Sequence, residues 1–365
     1  MRIAIASITK HGTETARKLA EDLQADLYYM RKFARGDEDE RGITLFDGSV
    51  RLQLPKLFKE YDGIVLNISL GAVVRMIAPI LGDKKTDPAV VVLDDRAEHA
   101  ISVLSGHIGG ANELTHRVAG LTGARPVITT ASDVQKTIPV DMFGREFGWT
   151  FEYDRFLTQA AAAVVNEEPV LVVQESGEPN WWKHDRPMPD HIKTAASVKE
   201  ALQTPHNAAL VVTHRLLNAE ELDGLHYPVV YRPKTIVLGI GCNRGTEAEE
   251  IEQVINETLR DLALSKTSVQ SIASIDLKKD EAGILSVAEK NAWPFTTFSP
   301  EQLNEAPIKE RSETVFKYTG AYGVSEPAAY LASRGGEVVL PKKKSGNVTI
   351  SIALIKFGTK ERRKE

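Results

Sequence analysis

Short runs of β-branched and aliphatic residues alternate with stretches of helical periodicity along nearly the whole chain, and this alternation constrains the fold more than any other feature. Strands separated by helices build βαβ units, whose parallel sheets must be covered on both faces, so the class is α/β. Arg2–Ile8 reads as the first strand. A helix follows in which Ala16, Leu19, Ala20 and Leu23 recur at helical spacing, with Thr13 as its cap. Gly63–Ser69, Ala89–Asp94, Ala100–Leu104 and Pro126–Thr130 read as extended, and Ala72–Leu81 and Asn112–Leu121 as helical; together these make a first domain over 1–135. Residues 136–230 form a small middle module with a strand at Pro169–Gln174 and an irregular loop over Glu178–Pro189. A third domain, 235–358, opens on the strand Thr235–Ile240. There Thr246 and Glu249 have capping-box spacing for a helix running through Leu264, and Glu337–Pro341 with Asn347–Leu354 reads as a closing hairpin. Residues 359–365 are a charged tail. The expected architecture is two α/β domains with mainly parallel sheets flanking a small α/β middle module.

Composition narrows the class of function. Hydrophobic residues at 42 % and charged residues at 26 % are those of globular proteins, which excludes disorder and fibrous folds. No apolar run approaches the roughly 20 residues of a membrane span, and the N-terminus lacks a secretory pattern, so no membrane association and a cytoplasmic location are expected. The single Cys242 rules out an internal disulfide and a thiolate metal cluster, so no metal site is expected. A net charge of −5 gives no general attraction to nucleic acid, and the basic runs Lys342–Lys344 and Lys360–Lys364 read as solvated.

Five segments carry chemistry. Asp94-Asp95-Arg96-Ala97-Glu98-His99 leads through a strand into Ser105-Gly106-His107-Ile108-Gly109-Gly110-Ala111-Asn112, and both flank strand ends, where α/β sheets bind ligands. Gly106, Gly109 and Gly110 would admit a large flat or anionic ligand to the backbone. His107 reads either as a turn-holding hydrogen bonder or as an acid–base group. Ser69-Leu70-Gly71 begins a helix that carries Arg75, a bidentate carboxylate donor or an ordinary exposed arginine. Gly239–Thr246 has a strand–glycine–helix order but not dinucleotide spacing, and Cys242 reads better as filler than as a nucleophile. Asp276-Leu277-Lys278 through Glu281 mixes acids with a lysine, and Gly320–Ala329 opens a helix with Tyr322 and Glu326 near its start.

The run from Ile101 through Ser105-Gly106-His107 to Asn112-Glu113 resembles the hallmark of the CbiG family. Ser69–Arg75 and Pro88–Asp95 resemble its N-terminal domain, and Gly239–Thr246, Ile272–Glu281, Gly320–Ala329 and Lys342–Ile352 resemble its C-terminal domain in the same order. The resemblance implies hydrolysis of the δ-lactone of cobalt-precorrin-5A to cobalt-precorrin-5B and acetaldehyde, in anaerobic cobalamin (vitamin B12) biosynthesis. The cobalt-corrinoid is then the small-molecule partner, and no protein cofactor is needed because cobalt arrives on the substrate. Chemistry of this kind needs a base, an oxyanion donor and a carboxylate-binding cleft. The expected catalytic set is His107, oriented by Asp95 or Glu98, with Glu326 in the C-terminal domain. The amides of Gly109 and Gly110 would stabilise an oxyanion. Ser69, Gly71, Arg75, Ser105, Gly106, Asn112, Asn243, Arg244, Lys278 and Tyr322 would hold the substrate between the first and third domains. A corrinoid carrier without activity, or a nucleotide-dependent oxidoreductase using Gly239–Gly245, are the rival readings; a homodimer and transient contacts with neighbouring pathway enzymes stay open.

Overall fold

A computed structural model describes residues 1–83 and 86–358; the charged tail 359–365, with the basic run Lys360–Lys364, lies outside the described residues. The chain divides into two compact units, residues 1–142 and Phe143 onward, with three mainly parallel sheets among the described residues.

The first unit holds β1 (Ile3–Ser7), β2 (Asp26–Met30), β3 (Thr44–Phe46), β4 (Gly63–Asn67), β5 (Ala89–Leu93), β6 (His99–Leu104) and β7 (Arg125–Val127), in the order β3-β2-β1-β4-β5-β6-β7. Alternation along each strand sends side chains to both faces, and both are covered. Ile3, Ile5, Val91 and Leu93 pack with Ala16, Leu19, Leu114 and Val118. Ala4, Ala6, Val90 and Val92 pack with Leu54, Leu57, Val73 and Ile77 on the other face. β1 to β5 run parallel. β6 pairs antiparallel with β5, Leu93 opposite Ala100 and Val90 opposite Leu104, and β7 runs parallel to β6. Two strands at one end of the sheet therefore point against the other five.

Two helix caps differ from the sequence expectation, the first by about one turn and the second by one residue. The first helix is Lys10–Leu23 with Thr9 as its cap, because the Thr9 hydroxyl accepts from the Gly12 amide; Thr13 is buried inside the helix and its hydroxyl donates to the Thr9 carbonyl. The expected capping box at Thr246 and Glu249 is likewise absent. The Thr246 hydroxyl donates to the Asn243 carbonyl, and the helix Ala248–Asp261 starts after Glu247 without a side-chain cap.

In the second unit, β8 (Thr150–Tyr153), β9 (Val170–Gln174), β10 (Ile192–Ala195), β11 (Ala208–Val212) and β12 (Pro228–Arg232) form the sheet β10-β9-β11-β12-β8. The strands β13 (Ile236–Cys242), β14 (Val269–Ile275), β15 (Phe295–Phe298), β16 (Val338–Ser345) and β17 (Val348–Leu354) form the sheet β15-β14-β13-β17-β16, in which β16 and β17 are the antiparallel hairpin. Gly239 and Gly241 do not make a turn. They pair inside β13 with Ser351 and Thr349, which removes the phosphate-cradling loop that a nucleotide reading needs.

One buried cluster sets an acid limit on the first unit. The Glu38 carboxylate accepts from the Tyr29 hydroxyl at 2.6 Å and from the Arg35 and Gly36 amides, which hold its pKa at about 2 instead of 4.5. A carboxylate whose folded pKa is depressed adds stability above its unfolded value, and loses it as pH falls toward the folded one. A Glu38→Gln variant should therefore show a shallower fall in Tm between pH 4.5 and 2 than the parent. Identical slopes in the two melting series would refute this role.

Candidate active site

Reversal of β6 decides which candidate residues can meet. Asp94–Glu98 lies at the carboxyl ends of the parallel strands, whereas Ser105–Gly110 follows β6 and lies at their amino ends. Six residues of strand separate the two loops by roughly 20 Å. Asp95 accepts from the Thr9 hydroxyl and Glu98 gives its amide to Asp94, so neither orients His107 as the sequence suggested. Ser69 and Arg75 also occupy the far edge. Ser69 caps the helix Leu70–Ile77 without a side-chain bond, Gly71 is exposed beside it, and Arg75 is exposed without an ion-pair partner among the described residues.

What surrounds His107 comes from the segment after β7, because β7 follows the direction of β6. Both ring nitrogens face carboxylates: Nδ1 lies 3.0 Å from Asp141 Oδ1, and Nε2 lies 3.0 Å from Asp133 Oδ2. The Ser132 hydroxyl also lies 3.1 Å from Nε2. Behind them sits buried Asn112, near the start of the helix Ala111–Thr122. Its Nδ2 donates to Asp133 Oδ2 at 2.7 Å and to the Thr130 hydroxyl at 2.9 Å, and its Oδ1 accepts from Ser102 at 2.7 Å. The bond to Asp141 raises the imidazole pKa above its ordinary 6.5, against the lowering effect of burial. A neutral ring would point a lone pair at one of the two carboxylates; the imidazolium satisfies both.

The glycines of this loop serve the loop itself. A Cβ on Gly106 would lie 2.8 Å from Asn112 Oδ1, and one on Gly109 would lie 2.3 Å from the Ser105 Cβ, so the segment closes on its own atoms instead of clearing room for a flat ligand. Ser105 itself donates to the Asp87 carbonyl. Nor is the Gly110 amide an oxyanion donor, since it donates to the His107 carbonyl at 2.9 Å; of the expected pair, the Gly109 amide is left.

The remaining candidates belong to the second unit and are largely engaged among themselves. Arg244 pairs with Asp280 at 2.8 Å and donates to the Leu277 carbonyl, while Lys278 pairs at 2.7 Å with buried Glu281, which also accepts the Gly245 amide. These cations are neutralised internally, so the expected grip of Lys278 on a substrate carboxylate would first have to break a buried pair. Asn243 donates to Asn347. Tyr322 stacks on Phe316 at 4.4 Å with the Arg311 guanidinium over its ring, and Glu326 accepts the Lys309 amide at 2.9 Å. Cys242 is half-buried and its thiol pKa is raised by burial, which fits filler and not a nucleophile.

The structure therefore brings together His107 and Asn112, both singled out from sequence, and places beside them Ser132, Asp133 and Asp141, which sequence reasoning did not name as site residues. Ser132-Asp133 directly follows an extended segment, a signal that could have been used. Asp141 is 34 positions from His107, and nothing local marks it.

Three family models match in order: Cobalamin synthesis G N-terminal over residues 53–133, Cobalamin biosynthesis central region over 138–233, and Cobalamin synthesis G C-terminus over 236–353. The cobalt-precorrin-5A hydrolase of Priestia megaterium is 59 % identical over 97 % of this chain and 95 % of its own length. That of Salmonella typhimurium is 32 % identical over 96 % and 97 %. A solved cobalamin biosynthesis protein G homolog from Sulfolobus solfataricus is 21 % identical over 97 % of each chain, with a TM-score of 0.38.

Proposed function

The chain belongs to the cobalamin synthesis G (CbiG) family, and from that premise we infer that it is a cobalt-precorrin-5A hydrolase, which opens a δ-lactone and releases acetaldehyde. The observation that carries this reading is 59 % identity with a protein of that activity, spanning 97 % of this chain.

The chemistry fits the groups present. Lactone hydrolysis needs a base for water, and the following carbon–carbon fission needs a proton removed from the freed alcohol while electrons enter the conjugated macrocycle. The carboxylates around His107 supply proton-transfer groups, and the substrate's cobalt-bearing ring supplies the electron sink, so the reaction calls on no cofactor of the protein. We place the reaction in the cytoplasm. Among the described residues no helix is long and apolar enough to cross a membrane.

Incubating the purified protein with cobalt-precorrin-5A without oxygen should release one acetaldehyde per corrinoid and shift the corrinoid mass by the gain of water and loss of acetaldehyde. A corrinoid that stays bound and intact, with no acetaldehyde, would replace the hydrolase by a carrier.

A further inference from the structure

We propose that Asp133, through its Oδ1 atom, is the catalytic residue that moves the proton, and that His107 with Asp141 positions it. The inference rests on the hydrolase reading and assigns the group within it.

Access separates the candidates. His107 has no ring nitrogen left for a substrate, since Asp141 takes Nδ1 while Asp133 and Ser132 take Nε2. Asp133 is the reverse case. Both of its donors, His107 Nε2 and Asn112 Nδ2, bind the same oxygen, Oδ2, so Oδ1 has no partner among the described residues. Its side chain is 43 % exposed, against 18 % for His107. A carboxylate with one oxygen pinned by two donors and the other turned outward is an oriented base, with little rotational freedom to lose on reaction.

Ser132, His107 and Asp141 also have the connectivity of a nucleophile–imidazole–carboxylate triad. Two observations set that arrangement aside. Ser132 is only 6 % exposed, and Nε2, the nitrogen that Ser132 reaches, also faces Asp133 Oδ2 at 3.0 Å, so a lone pair there would point at a carboxylate.

The steps balance through one oxygen. Asp133 Oδ1 takes a proton from water as the water oxygen bonds to the lactone carbonyl carbon. The acyl carbon–oxygen bond then breaks, and Asp133 returns the proton to the departing oxygen, leaving a carboxylic acid and an alcohol. Oδ1 next removes the alcohol proton as the carbon–oxygen double bond of acetaldehyde forms. The carbon–carbon bond to the macrocycle breaks, its electron pair enters the ring, and the ring takes that proton back.

The test compares Asp133→Asn, Ser132→Ala, His107→Gln and His107→Ala with the parent in the anaerobic acetaldehyde assay, with substrate binding followed by the corrinoid's absorbance. Asp133→Asn should lose about 10²- to 10⁴-fold in kcat with KM little changed, and Ser132→Ala should lose far less than Asp133→Asn. His107→Gln should keep more activity than His107→Ala, because an amide N–H can still hold Asp133 although it cannot shuttle a proton. Parent-like kcat in Asp133→Asn, or abolished turnover with intact binding in Ser132→Ala, would overturn the assignment. Should Asp133→Asn fail to fold, His107→Gln no better than His107→Ala overturns it independently. If the parent itself releases no acetaldehyde, the hydrolase reading fails and not this assignment.

Discussion

Acetaldehyde release by a His107→Ala variant should fall by about two orders of magnitude, and a variant combining His107→Ala with Asp133→Asn should be no slower than Asp133→Asn alone. The first number follows from positioning: a catalytic group displaced by about 1 Å can cost about a hundredfold. Without the imidazolium, Asp133 keeps only the Asn112 amide, and its neighbour Asp141 becomes an uncompensated negative charge across the gap. The second expectation follows because residues acting as a unit are not additive; once the carboxylate is gone, its holder has nothing to hold. Measuring kcat for the four proteins closes the cycle. Losses that multiply would show His107 acting on the substrate by itself.

A Gly239→Ala variant should lower Tm of the second unit's transition by about 6–12 °C. The added Cβ would stand 1.8 Å from the Ser325 carbonyl oxygen and 2.9 Å from the Ala329 Cβ, where the helix Ser325–Ala332 lies directly on β13. Overpacking a core costs about 1–3 kcal/mol, and here the obstacle is backbone that cannot rotate away, so about 3 kcal/mol is the appropriate figure. At about 2–4 °C per kcal/mol for a body of this size, the stated shift results. Gly241, two residues along the same strand, is the control. Its Cβ would meet only ordinary contacts at 3.7 Å, so Gly241→Ala should melt close to the parent. Equal shifts in the two variants, read by calorimetry, would remove the close helix approach as the cause.

Much of the fold was legible because period carries it. Two-residue alternation and 3.6-residue recurrence identify strands and helices, and Ala16, Leu19 and Leu23 named a buried helix face that the packing contains. Helix starts were less legible: Thr13 read as the cap, and the bond from the Gly12 amide shows the cap to be Thr9. The same holds at Thr246, whose hydroxyl the local turn claims for the Asn243 carbonyl.

From the sequence alone came the α/β class, the family signature around His107, and the chemistry the substrate would demand. The tertiary structure decided the company His107 keeps. Only five residues, Asp94–Glu98, join β5 to β6, too few for the crossover a parallel neighbour requires, so β6 turns back and carries His107 to the opposite edge from Asp95. Side-chain periodicity reports which face a residue takes and is blind to the direction in which a strand runs. Direction sets which loops share an edge, and it is why Asp133 and Asp141, distant in sequence, close around the imidazole.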